Sequence, residues 1–290
     1  MNVIQKSRTA TPNPVKVVIE PRVTDRDPDK YERRLKRQNT ILAVATPIVL
    51  ILLWELAARG GIIDVRFFPP PSSIAVTGWE LVENGMLPTA LLVTIRTLLI
   101  GLVVGNVVGT VVGMAMGLVR PLRAAFDPLL SGLYTVPKLA VLPLFMLLLG
   151  LGEPPRIVVV AIGSFFIAWI TMLEATMGVA HGYLETAESL ELTRGQRLRR
   201  VLVPAVLPEY FVGLRIAVGN AVLLIVGVEF VMSSEGIGSL IWRSWQIFAT
   251  ERMYAGIVCV GLLGYVLTKL VTIAARVAVP WGPKSMKRRR

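Results

Sequence analysis

One cysteine, Cys259, and one histidine, His181, stand in 290 residues. A single cysteine excludes a disulfide within the chain. Set in an apolar run, it reads as a small buried residue. A lone histidine with no cysteine beside it leaves no partner for a His/Cys metal site. The HExxH pattern does not occur, and His181 at a loop edge does not complete a Ser-His-Asp set, so hydrolase chemistry is disfavoured. There is no Gly-Lys dipeptide, hence no G-x-x-x-x-G-K-[ST] phosphate loop, and the chain does not bind ATP by that route. No internal repeat is visible. Charged residues are scarce, at 17%.

The shortage of charge has a counterpart. The chain is 54% hydrophobic with a mean hydropathy of +0.64. The apolar residues fall in six runs: 41–58, 97–119, 128–150, 157–179, 212–232 and 255–279. Each is long enough to cross a bilayer core of about 30 Å. No small-residue cleavage site follows the first run, so it reads as a span and not as a signal peptide. The expected fold is all-α, a polytopic membrane protein with six transmembrane helices.

The net charge of +12 does not indicate nucleic acid, because its distribution is banded. Lys and Arg number ten in 1–37, two in 120–127, four in 181–211 and six after 275. The alternate loops hold only Arg59, Arg66, Arg156, Arg243 and Arg252. Basic loops stay in the cytoplasm. Both termini are therefore expected inside and the number of spans even. Arg96, Lys138, Arg215 and Lys269 lie in or beside spans.

The second run contains "GLVVGNVVGTVVGMAMG", with Gly101, Gly105, Gly109, Gly113 and Gly117 in phase. Small residues let helix backbones approach in lipid, where no hydrophobic drive pulls helices together. Four residues turn a helix by about 400°, so five glycines sweep about 160° around the axis. That predicts at least two packing neighbours, or one neighbour crossing at a large angle.

Residues 1–38 read as a basic cytoplasmic tail, largely disordered, with "YERRLKRQ" as a short surface helix at its end. Residues 39–280 form the membrane domain, and 281–290 a second basic tail. In "FFPPPSSIAVTGWELVENG" the three prolines stop the chain and Ser72 or Ser73 can cap a short helix. The third run, "TVPKLAVLPLFMLLLGLG", holds Pro137 and Pro143 with Lys138 between them. A broken helix at membrane depth suits a cavity wall, and a buried charge faces a cavity or a partner. Lys138 and Arg215 are thus candidates to line a path, one that favours anions.

The longest basic loop, 181–210, is "HGYLETAESLELTRGQRLRRVLVPAVLPEY". Leu184, Ala187 and Leu190 recur at helical spacing beside Glu185, Glu188 and Glu191. Thr193-Arg-Gly-Gln196 matches a capping box, and a basic second helix follows that Pro204 and Pro208 end. Two helices joined by a turn either lie on lipid or dock a soluble partner.

This loop resembles the cytoplasmic "EAA" loop of the membrane subunits of ABC importers. Glu185 and Ala187 match its start, Thr186 replaces the first alanine, and "VPAVLP" matches its end. Glu191 occupies the family's glycine position, which argues against the usual sharp turn and for partner-specific docking. "FFPPPSSIAVTGWEL", "TVPKLAVLPLFMLLLGLGEPPRI" and "GLRIAVGNAVLLIVGVEFVMSSEGIGSLI" are similar to segments of nitrate/sulfonate/taurine-type permeases, binding-protein-dependent inner-membrane components. The resemblance covers about 45–282. It implies a subunit like the transmembrane domain of a type I ABC importer, in a bacterial inner membrane, that dimerises around a central path. Two separate ATPase subunits, which carry ATP and magnesium, would bind Glu185, Ala187, Leu190, Glu191, Thr193 and Gly195. An external binding protein would deliver substrate, a small anion such as a sulfonate or nitrate. Glu229, Ser233 and Ser234 would belong to an outer gate. No cofactor, metal or catalytic residue is expected in this chain. The alternatives are an ATP-independent secondary transporter or channel, and a membrane scaffold. The lack of repeated halves disfavours the transporter.

Overall fold

The computed structural model describes residues 28–232 and 235–281, and among them there are helices and connections but no strand. Ser233 and Ser234, the tail before residue 28 and residues 282–290 lie outside the described residues. The chain divides into Met1–Leu56 and Ala57–Arg290.

The first unit carries α1, Pro28–Arg59, whose last turn belongs to the second. Its basic segment 31–38 runs unbroken into the apolar run. The separate surface helix expected there does not form. Nothing between them breaks a helix, and Pro47 lies further on, inside the apolar run.

The second unit begins with α2, Pro71–Glu83. Neither Ser72 nor Ser73 caps it. Pro71 at the first helical position is preset in φ and lacks the N–H that a cap would satisfy. There follow α3, Met86–Leu118; α4, Arg120–Thr135; a 3₁₀ turn, Lys138–Val141; α5, Leu142–Leu149; and α6, Glu153–Met177. Then come α7, His181–Ser189; α8, Arg194–Met232; α9, Ile237–Gln246; and α10, Thr250–Ala278. Among the described residues five helices are long and apolar enough to span a membrane: α1, α3, α6, α8 and α10. The third run is a pair, α4 and the segment Lys138–Leu149, bent by 89°. Val136, ahead of Pro137, is extended (φ −65°, ψ 128°), as the residue before a proline must be. Pro143 does not break anything: it sits in the first turn of α5.

The core is α3, α6 and α8 packed together. Leu98 and Leu102, Val160, and Ala217, Val218, Ala221, Val222 and Ile225 form one buried cluster, with Val260 and Leu267 of α10 against it. The glycine ladder makes the closest contact. A Cβ on Gly101 would lie 2.8 Å from the Ile157 carbonyl oxygen, one on Gly105 would fall on the Ala161 carbonyl, one on Gly109 on that of Phe165. One on Gly113 would lie 2.5 Å from the Trp169 oxygen and one on Gly117 2.6 Å from Thr176. All five glycines therefore face one neighbour, α6, along about 24 Å. Of the two arrangements expected, it is the single neighbour and not the pair of partners that packs them. The contact points on α6 also recur every four residues. A stripe with a period above 3.6 winds right-handedly about its axis. Two such stripes stay in contact when the helices coil around each other, which a straight partner does not allow. The opposite side of α6 meets α8 just as closely: a Cβ on Gly213 would lie 2.7 Å from Thr171.

Candidate functional site

The α6–α8 loop carries most of the residues to which the sequence assigns a role. Its first helix, α7, ends in a paired hydrogen bond: the Leu192 N–H donates to the Ala187 carbonyl (3.1 Å) and the Glu191 N–H to that of Glu188 (2.9 Å). This is the Schellman geometry, which needs a left-handed residue, usually glycine, just past the helix. Glu191 supplies it at φ 51°. The sharp turn that a glutamate argued against is present, with the glutamate forced into it. A non-glycine residue there costs roughly 1–2 kcal/mol. Glu191→Gly is expected to tighten the turn by about that amount, read as slower amide exchange at residues 190–192.

Thr193 and Gln196 form the capping box expected of them. The Gln196 N–H donates to Thr193 Oγ1 (3.4 Å) and the Thr193 N–H to Gln196 Oε1 (3.0 Å). Arg197 pairs with Glu188 at 2.9 Å across the turn. The helix that starts here is not ended by Pro204 and Pro208. It continues as α8 to Met232. Two local devices make this possible. A π turn at Leu198–Leu202 widens the helix where the Pro204 ring would meet the Arg200 carbonyl. Pro208 has no N–H for the Pro204 carbonyl, and Trp281 Nε1 donates to it instead (3.4 Å). Along the loop, Glu185, Leu190, Glu191, Thr193 and Gly195 are exposed, Leu190 at 66%. Ala187 is not: at 2% exposure it faces inward.

The residues assigned to a path do not converge. Lys138 is half-buried at the bend; its ammonium donates to the Tyr134 carbonyl and lies 4.5 Å from the Tyr134 ring centroid and 5.3 Å from that of Phe166. Beside it opens an apolar cavity of about 330 Å³ walled by Leu133, Val136, Phe145 and Phe165. No carboxylate pairs with Lys138 among the described residues. Arg215 sits midway along α8 with its Nε buried and without a hydrogen-bond partner among the described residues. Arg96 is exposed and reaches Glu153, at the start of α6, at 3.4 Å.

Glu229 lies near the far end of α8, fully buried. Its Oε1 accepts from the Thr94 hydroxyl of α3 (2.8 Å) and its Oε2 from the Gly238 N–H of α9 (2.8 Å). Thr94 Oγ1 in turn accepts from the Ile237 N–H (2.9 Å). The Ser239 hydroxyl donates to the Glu235 carbonyl (2.8 Å) and lies within reach of that of Glu229 (3.1 Å). Arg156, read from the sequence as a loop residue, is 3% exposed; it bonds the Gly152 carbonyl (3.1 Å) and lies 3.7 Å from the Glu235 carboxylate. Thr94, Arg156 and Ser239 were not legible as partners, being up to 143 residues from what they bind. A faint signal existed: Thr97 precedes Gly101 by four residues, so the small-residue stripe extends toward Thr94. A second cavity, of about 590 Å³, opens beside α9, with Asn84, Thr89, Glu235, Arg243 and Arg252 in its wall.

A bundle of apolar helices around a glycine-welded pair, with one broken helix and a capped two-helix loop, is a multi-pass membrane protein of transport type. The chain belongs to the family of binding-protein-dependent transport system inner membrane components, which it matches over residues 105–281. It is 31% identical over 246 residues to a putative aliphatic sulfonates transport permease protein of Bacillus subtilis (strain 168), covering 85% of this chain and 89% of the relative. It is 28% identical over 257 residues to the taurine transport system permease protein of Escherichia coli (strain K12), covering 87% and 93%. It is 27% identical over 273 residues to the nitrate import permease protein of Leptolyngbya laminosa, covering 90% and 96%. In fold it is similar to a chain of the inward-facing MetNI methionine ABC transporter, with a TM-score of 0.59 at 18% identity, covering 69% of this chain and 96% of that one. The fold is thus that of a type I ABC importer transmembrane domain, and the chain is a permease component of the inner membrane.

Proposed function

We propose that this permease works as a dimer with a second copy of itself, driven by two ATP-binding-cassette ATPase subunits that bind ATP and magnesium on their own chains. The α6–α8 loop is the docking element, and it lies on the cytoplasmic side with both termini. What supports this is the construction of that loop. A Schellman turn and a capping box fix it, it presents Leu190, Glu185 and Glu191 outward, and it joins one uninterrupted 39-residue helix. An exposed leucine between two carboxylates, on a rigid turn, suits a protein partner better than lipid headgroups of like sign. An external binding protein delivers substrate at the opposite face, where α9 and the wall containing Arg243 and Arg252 lie.

The substrate is a small anion, with sulfonates and nitrate the leading candidates by likeness to the relatives. Lys138, an ammonium at a broken helix with no carboxylate partner among the described residues, and Arg215 line the path. The outer gate forms around the α8–α9 turn with Glu229, Ser233 and Ser234. The test is uptake into proteoliposomes of an anion, neutral solute and cation panel by the full complex. ATP-dependent uptake of anions is expected, reduced at least about tenfold in Lys138→Met. Uptake by this chain alone, indifferent to ATP, would overturn the assignment. Undiminished anion uptake by the variant would remove Lys138 from the path.

A further inference from the structure

We infer that Glu229 is a positioning residue that fastens α9 to α3 and α8, so that α9 moves as one body with the helix leading to the docking loop. The inference rests on the transport reading for its purpose, but on geometry alone for the clamp.

Helix α9 starts at Gly236, which has no side chain to cap it. Its first N–H groups still need acceptors. Thr94 takes that of Ile237 and Glu229 takes that of Gly238, while Thr94 donates to Glu229. The cap therefore comes from two other helices, and the three are joined through one carboxylate. A carboxylate suits the place, since the N-terminal end of a helix carries partial positive charge. The approach is possible only because glycine stands on both sides. Gly236 is at φ 99°, and a Cβ on it would fall on the Glu229 carboxyl; a Cβ on Gly238 would lie 2.7 Å from Glu229 Cβ. Buried Arg156 holds the same turn from α6 through the Glu235 carbonyl (3.4 Å). Glu229 does not touch the cavity beside Lys138, and with no exposed atom it does not contact a solute in this arrangement.

The other end of α8 is built differently. Its first fifteen residues carry the π turn, Pro204 and Pro208, all of which weaken the hydrogen-bond ladder. Beyond Pro208 no proline interrupts it as far as Met232. Bending is therefore concentrated next to the docking loop, and a displacement there is carried along α8 to the Glu229 end with little loss. Beside the clamp, α9 packs on α8 through Phe230 and Trp242, whose ring centroids lie 5.7 Å apart, and on α10 through Ile241 against Gly256; these contacts are apolar and fix its orientation less sharply than the hydrogen bonds to Glu229 and Thr94.

The test uses Thr94→Val, which keeps shape and removes the hydroxyl that both receives and donates, with Thr94→Ser as the conservative variant. In a Cys259→Ser background, spin labels at exposed Val231 and Trp245 report the swing of α9 against α8. In lipid nanodiscs without partners, a narrow distance distribution is expected for the parent and for Thr94→Ser, and a broadened one for Thr94→Val. In the full complex, substrate moved per ATP hydrolysed should fall about tenfold in Thr94→Val and recover in Thr94→Ser, with ATPase co-purification unchanged. An unchanged distribution in Thr94→Val overturns the clamp. Should that variant fail to accumulate, Glu229→Gln, which sets an amide NH2 against one of the two donors that the carboxylate accepts from, takes its place with the same pair of labels. Broadening in Glu229→Gln supports the clamp, and a distribution as narrow as the parent's overturns it. The nanodisc measurement involves no ATPase. If the parent complex does not transport, the functional reading fails while the clamp is still decided.

Discussion

Gly105→Leu is expected to leave little or no folded protein in the membrane. A Cβ at this position falls on the Ala161 carbonyl, with its carbon at 2.7 Å and the Ala161 Cα at 2.9 Å. Those are backbone atoms of α6 and cannot rotate away. The two helices would have to separate along the whole ladder, because the neighbouring glycines are equally close. In water such a loss would be partly offset by the burial of leucine. In lipid it is not, since the acyl chains are as apolar as the side chain. Overpacking of a close-packed interior costs about 1–3 kcal/mol even where neighbours can adjust. Here the obstacle is rigid, and total stabilities are only about 5–15 kcal/mol. Gly261→Leu, on α10, is the control. A Cβ there meets nothing within 4 Å, so yield and Tm in detergent should match the parent. Equal Tm values for the two variants would show that the ladder tolerates separation and is not a packing seam.

The ladder shows how legible the fold was. Five glycines in phase announce close approach of two helices, and that reading needs only the sequence. Which helix they meet does not follow from it, because the count of neighbours depends on whether the partner is straight. The number of apolar runs, the broken third run and the capping box at Thr193 were likewise local, each written within a few consecutive residues. What was not local was not legible. The Pro204–Pro208 pair looks like a helix end, and it is one unless a π turn precedes it and an indole from residue 281 arrives to take the freed carbonyl. Glu229 was visible as a carboxylate in an apolar run. Its meaning was not, because its partners come from α3 and α9 and only the packing of the bundle brings them together. Glu191 is the converse case. A glutamate at a glycine position suggested that the turn was lost, whereas the hydrogen bonds of the turn outweigh the cost of one left-handed residue.

The docking loop should respond to two substitutions in different ways, and the difference locates the contact. Leu190→Arg replaces an exposed apolar side chain with a charged one, outside the packed part of the loop. Burying a leucine side chain fully against a partner is worth about 2 kcal/mol, about 30-fold in affinity. Leu190→Arg should therefore lower ATPase affinity by about that factor and leave α7 in place. Ala187→Arg should act more severely. Ala187 is almost fully buried, and its carbonyl receives the bond that closes the Schellman turn. A guanidinium cannot be accommodated there unpaired, so α7 must lift and the turn must open. ATPase co-purification is expected to be abolished while the membrane part stays folded, since the core of α3, α6 and α8 does not include this loop. Hydrogen exchange separates the two. Residues 184–192 should exchange faster in Ala187→Arg and at the parent rate in Leu190→Arg. If Leu190→Arg binds the ATPase as well as the parent does, the partner is held by the shape of the loop and not by its exposed apolar side chain. If Ala187→Arg also retains it, the loop is not the docking element.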